Sequence, residues 1–229
     1  MNIEFAIRVT EILIGFAFVL QSAEHIKRFR NEQLIFIPRL LLSILLIFGF
    51  QTQWVIAALF ILGVAMLVRF QGPYNGGADR MSLLILSCLC LAHFLPVLQW
   101  RELAFGYLAI QFILSYFISG WVKVINPEWR NGQALVDVFN FSAYPVSESL
   151  RGLADSPRLL LFMSWSVIIF ELVFPLSMLS SITMTIALVI AASFHFANAC
   201  LFGLNRFFWI WIAAYPSILW FQQRVFDTI

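Results

Sequence analysis

Along this chain apolar runs alternate with short polar breaks. Eight runs stand out, over residues 6–21, 35–50, 54–69, 81–100, 103–123, 159–178, 181–202 and 207–222. Each is near the length of about 20 residues that a helix needs to cross the apolar core of a bilayer. The breaks are of different kinds. EHIKRFRNEQ at 24–33 is a charged hinge, and QGPYNGGADR at 71–80 is a Gly/Pro/Asn turn cluster that cannot be helical throughout. Residues 51–53 and the pair Arg101–Glu102 are tight polar turns. Residues 126–158 form the longest connection and are too apolar for a disordered linker. Leu135, Val138 and Phe139 suggest an amphipathic interfacial or re-entrant piece there. The expected architecture is all-α: a polytopic transmembrane bundle of about eight helices, forming one domain over 1–229 with no internal repeat.

Composition fits that reading. The chain is 62% hydrophobic and 11% charged, with a mean hydropathy of +0.90, where soluble domains carry about 25% charged residues. The expected environment is therefore a lipid bilayer. A net charge of +2 with no basic stripe argues against a nucleic-acid partner. Cys88, Cys90 and Cys200 form no CxxC pair and no metal spacing, so they read as small packing residues and no metal is expected. Residues 6–21 lack a basic leader and a convincing cleavage site, so no cleavable signal peptide is expected.

The fifth run carries a polar ladder. Gln111, Ser115, Ser119 and Lys123 recur at four-residue spacing, with Tyr116 and Gly120 beside them. On a helix they share one broad face, and polar groups at membrane depth belong in a bundle interior or a wet cavity. Lys123 has two readings. It either snorkels at the membrane boundary, or it lines a cavity where burial or a neighbouring cation (Arg69, Arg80 or Arg206) lets it act as a base.

With eight spans both termini share a face, which holds Arg8, Arg101 and Arg224, while the other eleven of the 14 Lys+Arg fall on the opposite face. The positive-inside rule then puts the termini outside. Three stretches meet on the basic face: the turn with Tyr74, Asn75, Asp79 and Arg80, the segment from Lys123 through Trp129 and Asn131, and the end of the seventh run, from His195 to Arg206. Asp79 and Arg80 follow a glycine pair and could order a lid or pair with Lys123. His195 and Asn198, at i,i+3, share a helix face and can orient one substrate. The alternative for His195 is an interhelical hydrogen bond. Glu171, a carboxylate in mid-run, is either a functional group or a structural ion pair. His25 in a basic turn and His93 near the other face read as bland, and Arg8 can pair with Glu11 at i,i+3.

Three separated segments carry a resemblance: YFISGWVKVINPEWRNG at 116–132, FELVFPL at 170–176, and FHFANACLFGLNRFFWIWIAAYPSILW at 194–220. In this order they resemble the membrane region of vitamin K-dependent gamma-carboxylases and their bacterial relatives, the horizontally transferred transmembrane (HTTM) family. The likeness covers roughly residues 69–221. It implies a bacterial inner-membrane enzyme that uses a reduced, vitamin K-like quinone. Lys123 would be the base that deprotonates the quinone, and His195 would line the same cavity. Asn198, Tyr74, Asn75, Asp79, Arg80, Tyr116, Trp129, Asn131, Glu171 and Arg206 would contact substrate, which the family implies to be a peptide or small protein. Two departures limit what carries over. The turn reads YNGGADR where the carboxylases have a histidine, and their large extramembrane domain has no counterpart in this sequence. Glutamyl carboxylation is therefore one expectation, and a related quinone- or lipid-dependent reaction on a peptide or small substrate is the other. A non-catalytic accessory protein for peptide maturation, export or immunity is the second reading. A transporter is the third, without the repeat symmetry that class shows.

Overall fold

The computed structural model describes residues 1–28, 30–69, 77–141 and 147–226, except for the side chains of Asn31 and Arg69. Tyr74 and Asn75 lie outside the described residues. The described chain is helical, with no strand. Its α-helices are α1 Ile3–Arg28, α2 Gln33–Phe48, α3 Thr52–Arg69, α4 Gly77–Phe94, α5 Leu98–Ile125, α6 Pro127–Arg130, α7 Gln133–Phe141, α8 Pro157–Val173, α9 Ser181–Phe202 and α10 Asn205–Val225. The runs match the long helices except at one junction. The break expected at Arg101–Glu102 lies instead at residues 95–97, around Pro96, so that the run 81–100 is split between α4 and α5 and Arg101–Glu102 is helical. Among the described residues four segments are long and apolar enough to cross a membrane, α4, α5, Pro157–Leu179 and α9, while α2 and α3 are shorter apolar helices.

The ends have local causes. Helix α2 stops at Phe48 because Gly49 turns to φ +78° and sends its N–H back to the Leu45 and Leu46 carbonyls. Gly203 ends α9 in the same way at φ +69°, and the Ser180 hydroxyl caps its start by accepting from the Ile182 N–H. Pro175 has no N–H to donate to the Glu171 carbonyl, so α8 gives way to a 3₁₀ segment, Phe174–Leu179. The long connection holds α6, α7 and a second 3₁₀ segment, Glu148–Asp155. In it Phe139 is buried, with its ring 5.1 Å from that of Phe202.

The chain divides into two compact units, residues 1–109 with 206–224, and residues 110–205 with 225–229. The first has an apolar core that includes Ile14, Phe18, Phe36, Ile56, Leu59, Leu86 and Phe105. Arg8 ties part of it together. It pairs with Glu11 at 2.7 Å, as the spacing suggested, and donates to the Leu46 and Ile47 carbonyls at 2.8 and 2.5 Å. Those carbonyls lie in the last turn of α2, where helix-internal donors run out. Glu11 also meets His93 Nε2 at 2.5 Å, so the histidine that reads as bland in the sequence belongs to a buried polar tie.

In the second unit two glycines set helix spacing. A Cβ on Gly120 would lie 2.9 Å from the backbone nitrogen of Leu172, and one on Gly132, at φ +83°, would lie 3.0 Å from Leu161 Cα. Helix α8 can therefore approach α5 and the α6–α7 corner closely only because both positions lack a side chain. Ser164 Oγ and Trp165 Nε1 then donate to the Trp129 and Arg130 carbonyls, at 2.5 and 3.0 Å, and satisfy the end of α6. Many large apolar side chains of this unit face outward, Phe162, Ile182 and Val189 among them, as suits a lipid-facing surface.

Candidate functional site

An eight-residue stretch of α5, 116–123, carries three polar groups of the second unit. Tyr116, Ser119 and Lys123 are spaced by three and four and share one face, with about 10 Å of rise between the first and the last. Gly120 brings α8 against that face at Glu171, whose Cβ would be 3.0 Å from a Cβ on Gly120. The close approach lets a short carboxylate reach across. Lys123 Nζ lies 2.6 Å from Glu171 Oε2, and Ser119 Oγ accepts from Lys123 and donates to Glu171 Oε1 at 3.2 Å. The two charged side chains are only 15% and 5% exposed. Lys123 is thus a largely buried ammonium with a carboxylate, a hydroxyl and the Trp129 ring, 5.1 Å away, as neighbours. The group it meets is an acid, where the sequence reading looked for a cation.

Two turns before Lys123, Tyr116 Oη lies 2.6 Å from His195 Nε2, and both residues are buried. The Tyr116 ring stacks on Phe174 at 4.2 Å and 18°, and meets Phe170 edge-on at 5.9 Å. Those two phenylalanines have a second role. Together with Val173, Ser177, Thr183 and Ile186 they line a cavity of about 330 Å³ formed by α8, the 3₁₀ segment after it, and α9. The Ser177 hydroxyl donates to the Phe174 carbonyl and that of Thr183 to the Ser177 and Ser180 carbonyls, so the wall offers an apolar surface. Neither Lys123 nor His195 is among the lining residues.

The other expected site residues are placed as follows. Asn198 is half-buried in the last turn of α9, one turn beyond His195. Asn131 is at the end of α6, its side chain accepting from the Gln133 N–H at 2.9 Å, a turn-forming role. Asp79 and Arg206 form an ion pair within the first unit, and Arg80 is exposed. The structure thus gathers the expected residues into three pairs: Lys123 with Glu171, Tyr116 with His195, and Asp79 with Arg206. Among the described residues no group of three His, Cys, Asp or Glu stands close enough to hold a metal.

A family model described as the HTTM domain matches residues 96–223, more than half of the 229-residue chain. The chain belongs to the HTTM family. The match takes in Lys123, Glu171, His195, Asn198 and Arg206, and starts beyond the turn at 71–80. The resemblance to the gamma-carboxylase membrane region is consistent with this HTTM membership. No curated protein and no solved structure matches the chain.

The sequence reading passed over Arg39, and it gave Glu11 to Arg8 alone without seeing that His93 also meets it. A signal was available for Arg39: an arginine inside an apolar run, with no acidic residue three or four positions away.

Proposed function

We propose that this HTTM protein is an integral membrane enzyme in which Lys123 serves as a base on an apolar, quinone-class substrate. The observation that carries the proposal is the buried Lys123–Glu171 pair with Ser119 between its arms. In such a contact one proton can pass between the two groups. With the proton on Glu171, Nζ is a free amine that can take a proton from a substrate hydroxyl. With the proton on Nζ, Glu171 holds the ammonium in place. Ser119 touches both groups and supports either form. Tyr116 and His195 position the neighbouring ring cluster.

The cavity walled by Phe170, Phe174 and Ile186 suits the ring or the chain of a reduced quinone in size and in its apolar surface. Such a quinone supplies, when bound, an acidic hydroxyl and two electrons for dioxygen. We take all eight long helices as spans, the 126–158 connection as lying at the interface, and the termini as outside, in a bacterial inner membrane. The substrate class that the resemblance implies is a peptide or small protein.

A second reading rests on one observation: Lys123 does not line the cavity. On that reading the protein binds a quinone or lipid without turnover, as an accessory to peptide maturation, export or immunity. Native mass spectrometry of the purified protein tests occupancy. Wild type should retain a quinone-class molecule, and Ala187→Trp, which fills the cavity wall, should lose it. Retention by Ala187→Trp would move the binding site elsewhere.

A further inference from the structure

The first unit holds a buried charge with no ion-pair partner among the described residues. Arg39 lies in α2, just after Pro38, and is 5% exposed. Its guanidinium carbon stands 3.9 Å from the centre of the Phe18 ring. Among the described residues it makes no ion pair, and Nη1 is buried without a hydrogen-bond partner. Arg39 and Asp79 line the same small cavity, with Phe18, Leu59 and Ser82, which offers about 20 Å³ to the centre of a water-sized sphere. Asp79 Oδ1 is taken by Arg206, whereas Oδ2 is buried and unpartnered. Arg206 is close enough to act electrostatically on Arg39. One carboxylate thus lies on a cavity wall with Arg39 while its ion pair is with Arg206.

A buried guanidinium without a counter-ion is costly, and the rings of Phe18 at 3.9 Å and Phe36 at 5.8 Å offset only part of that. A water molecule could meet Nη1 but would leave the surplus charge in place. We infer that this cavity binds a single small monovalent anion, of chloride or formate size, with Arg39 as its principal ligand. The room matches one small occupant and no more. Asp79 Oδ2, on the same wall, weakens the site for any anion that brings no proton. Asp79 is thus the element that sets affinity, and Arg39 the one that makes binding possible. The inference is independent of the chemistry proposed for Lys123, which belongs to the other unit.

Thermal unfolding of the detergent-purified full-length protein, at constant ionic strength, tests it. Chloride and formate, titrated against gluconate, should each give a saturable rise in Tm, and gluconate none. Arg39→Met removes the buried charge at similar length and should abolish the dependence. Asp79→Asn removes the competing carboxylate and should lower the half-saturating anion concentration by about tenfold. A structural ion pair alone would not give that gain. Should Arg39→Met fail to fold, the Asp79→Asn titration decides by itself. A Tm indifferent to the anion would mean that the cavity holds only water and would overturn the inference. So would an unchanged anion response in Arg39→Met, or no tightening in Asp79→Asn.

Discussion

Lys123 and Glu171, 48 residues apart in sequence, meet at 2.6 Å where α5 and α8 come closest. Ser119 touches both, so the contact is a three-membered network rather than an isolated ion pair. In a buried network the loss of one member leaves the others desolvated and unpaired. Glu171→Gln should therefore lower stability by about 1–3 kcal/mol. The double variant Lys123→Met/Glu171→Leu should be more stable than the sum of its single changes. Unfolding of the four proteins in one detergent gives the coupling, and a coupling indistinguishable from zero would remove the network.

The spacing behind that contact depends on Gly120. A methyl group there meets the Leu172 backbone nitrogen at 2.9 Å, an atom that cannot swing aside. Gly120→Ala should cost about 1–3 kcal/mol by overpacking. It should also separate Lys123 from Glu171, so that a further Glu171→Gln change costs little more. Full additivity of the two changes would show that Gly120 does not control the pair.

Much of this was legible in the chain, for physical reasons that differ by residue. Most helix positions followed from the apolar runs, though the charged pair Arg101–Glu102 reads as a turn while the chain breaks at 95–97. The Gln111–Ser115–Ser119–Lys123 ladder followed from helical spacing alone. Glu171 was visible as a carboxylate in an apolar run. Its partner was not, because the pairing depends on how closely α8 approaches α5 at Gly120. Tyr116 and His195 are 79 positions apart, and only the packed unit brings them together. His93 reads as bland because Glu11, the acid it meets, lies on another helix 82 positions away. Arg39 was visible as an arginine in an apolar run, but only the packed unit shows that it is buried against Phe18 with no ion pair among the described residues.

The Tyr116–His195 hydrogen bond fixes a ring cluster that also walls the cavity. Tyr116→Phe keeps the stacking on Phe174 and removes only the hydroxyl, so stability should fall by about 1 kcal/mol. If the hydroxyl positions the cavity wall, quinone binding should weaken in this variant while the overall fold holds. Isothermal titration with a short-chain quinone analogue reads both wild type and variant. Unchanged affinity would confine Tyr116 to a packing role.

Sidedness can be tested at Ser147, exposed at the start of the Glu148–Asp155 segment. Eleven basic residues against three predict that this connection faces the cytoplasm. Ser147→Cys, in a background with the three native cysteines replaced, should resist an impermeant thiol reagent on intact cells and react after permeabilisation. Labelling of intact cells would reverse the orientation.

The central claim is that Lys123 acts as a base, and Lys123→Arg tests it most directly. Guanidinium keeps the positive charge opposite Glu171 but holds its proton, so it can anchor and cannot act as a base. The measurement is oxygen uptake by a reduced short-chain naphthoquinone in the presence of purified protein, with thermal unfolding as the check on folding. Wild type should accelerate uptake, and Lys123→Arg should unfold at nearly the same temperature with a rate lower by about a hundredfold. A Lys123→Arg protein that is folded and as fast as wild type would contradict the account, as would a wild type that does not accelerate uptake at all.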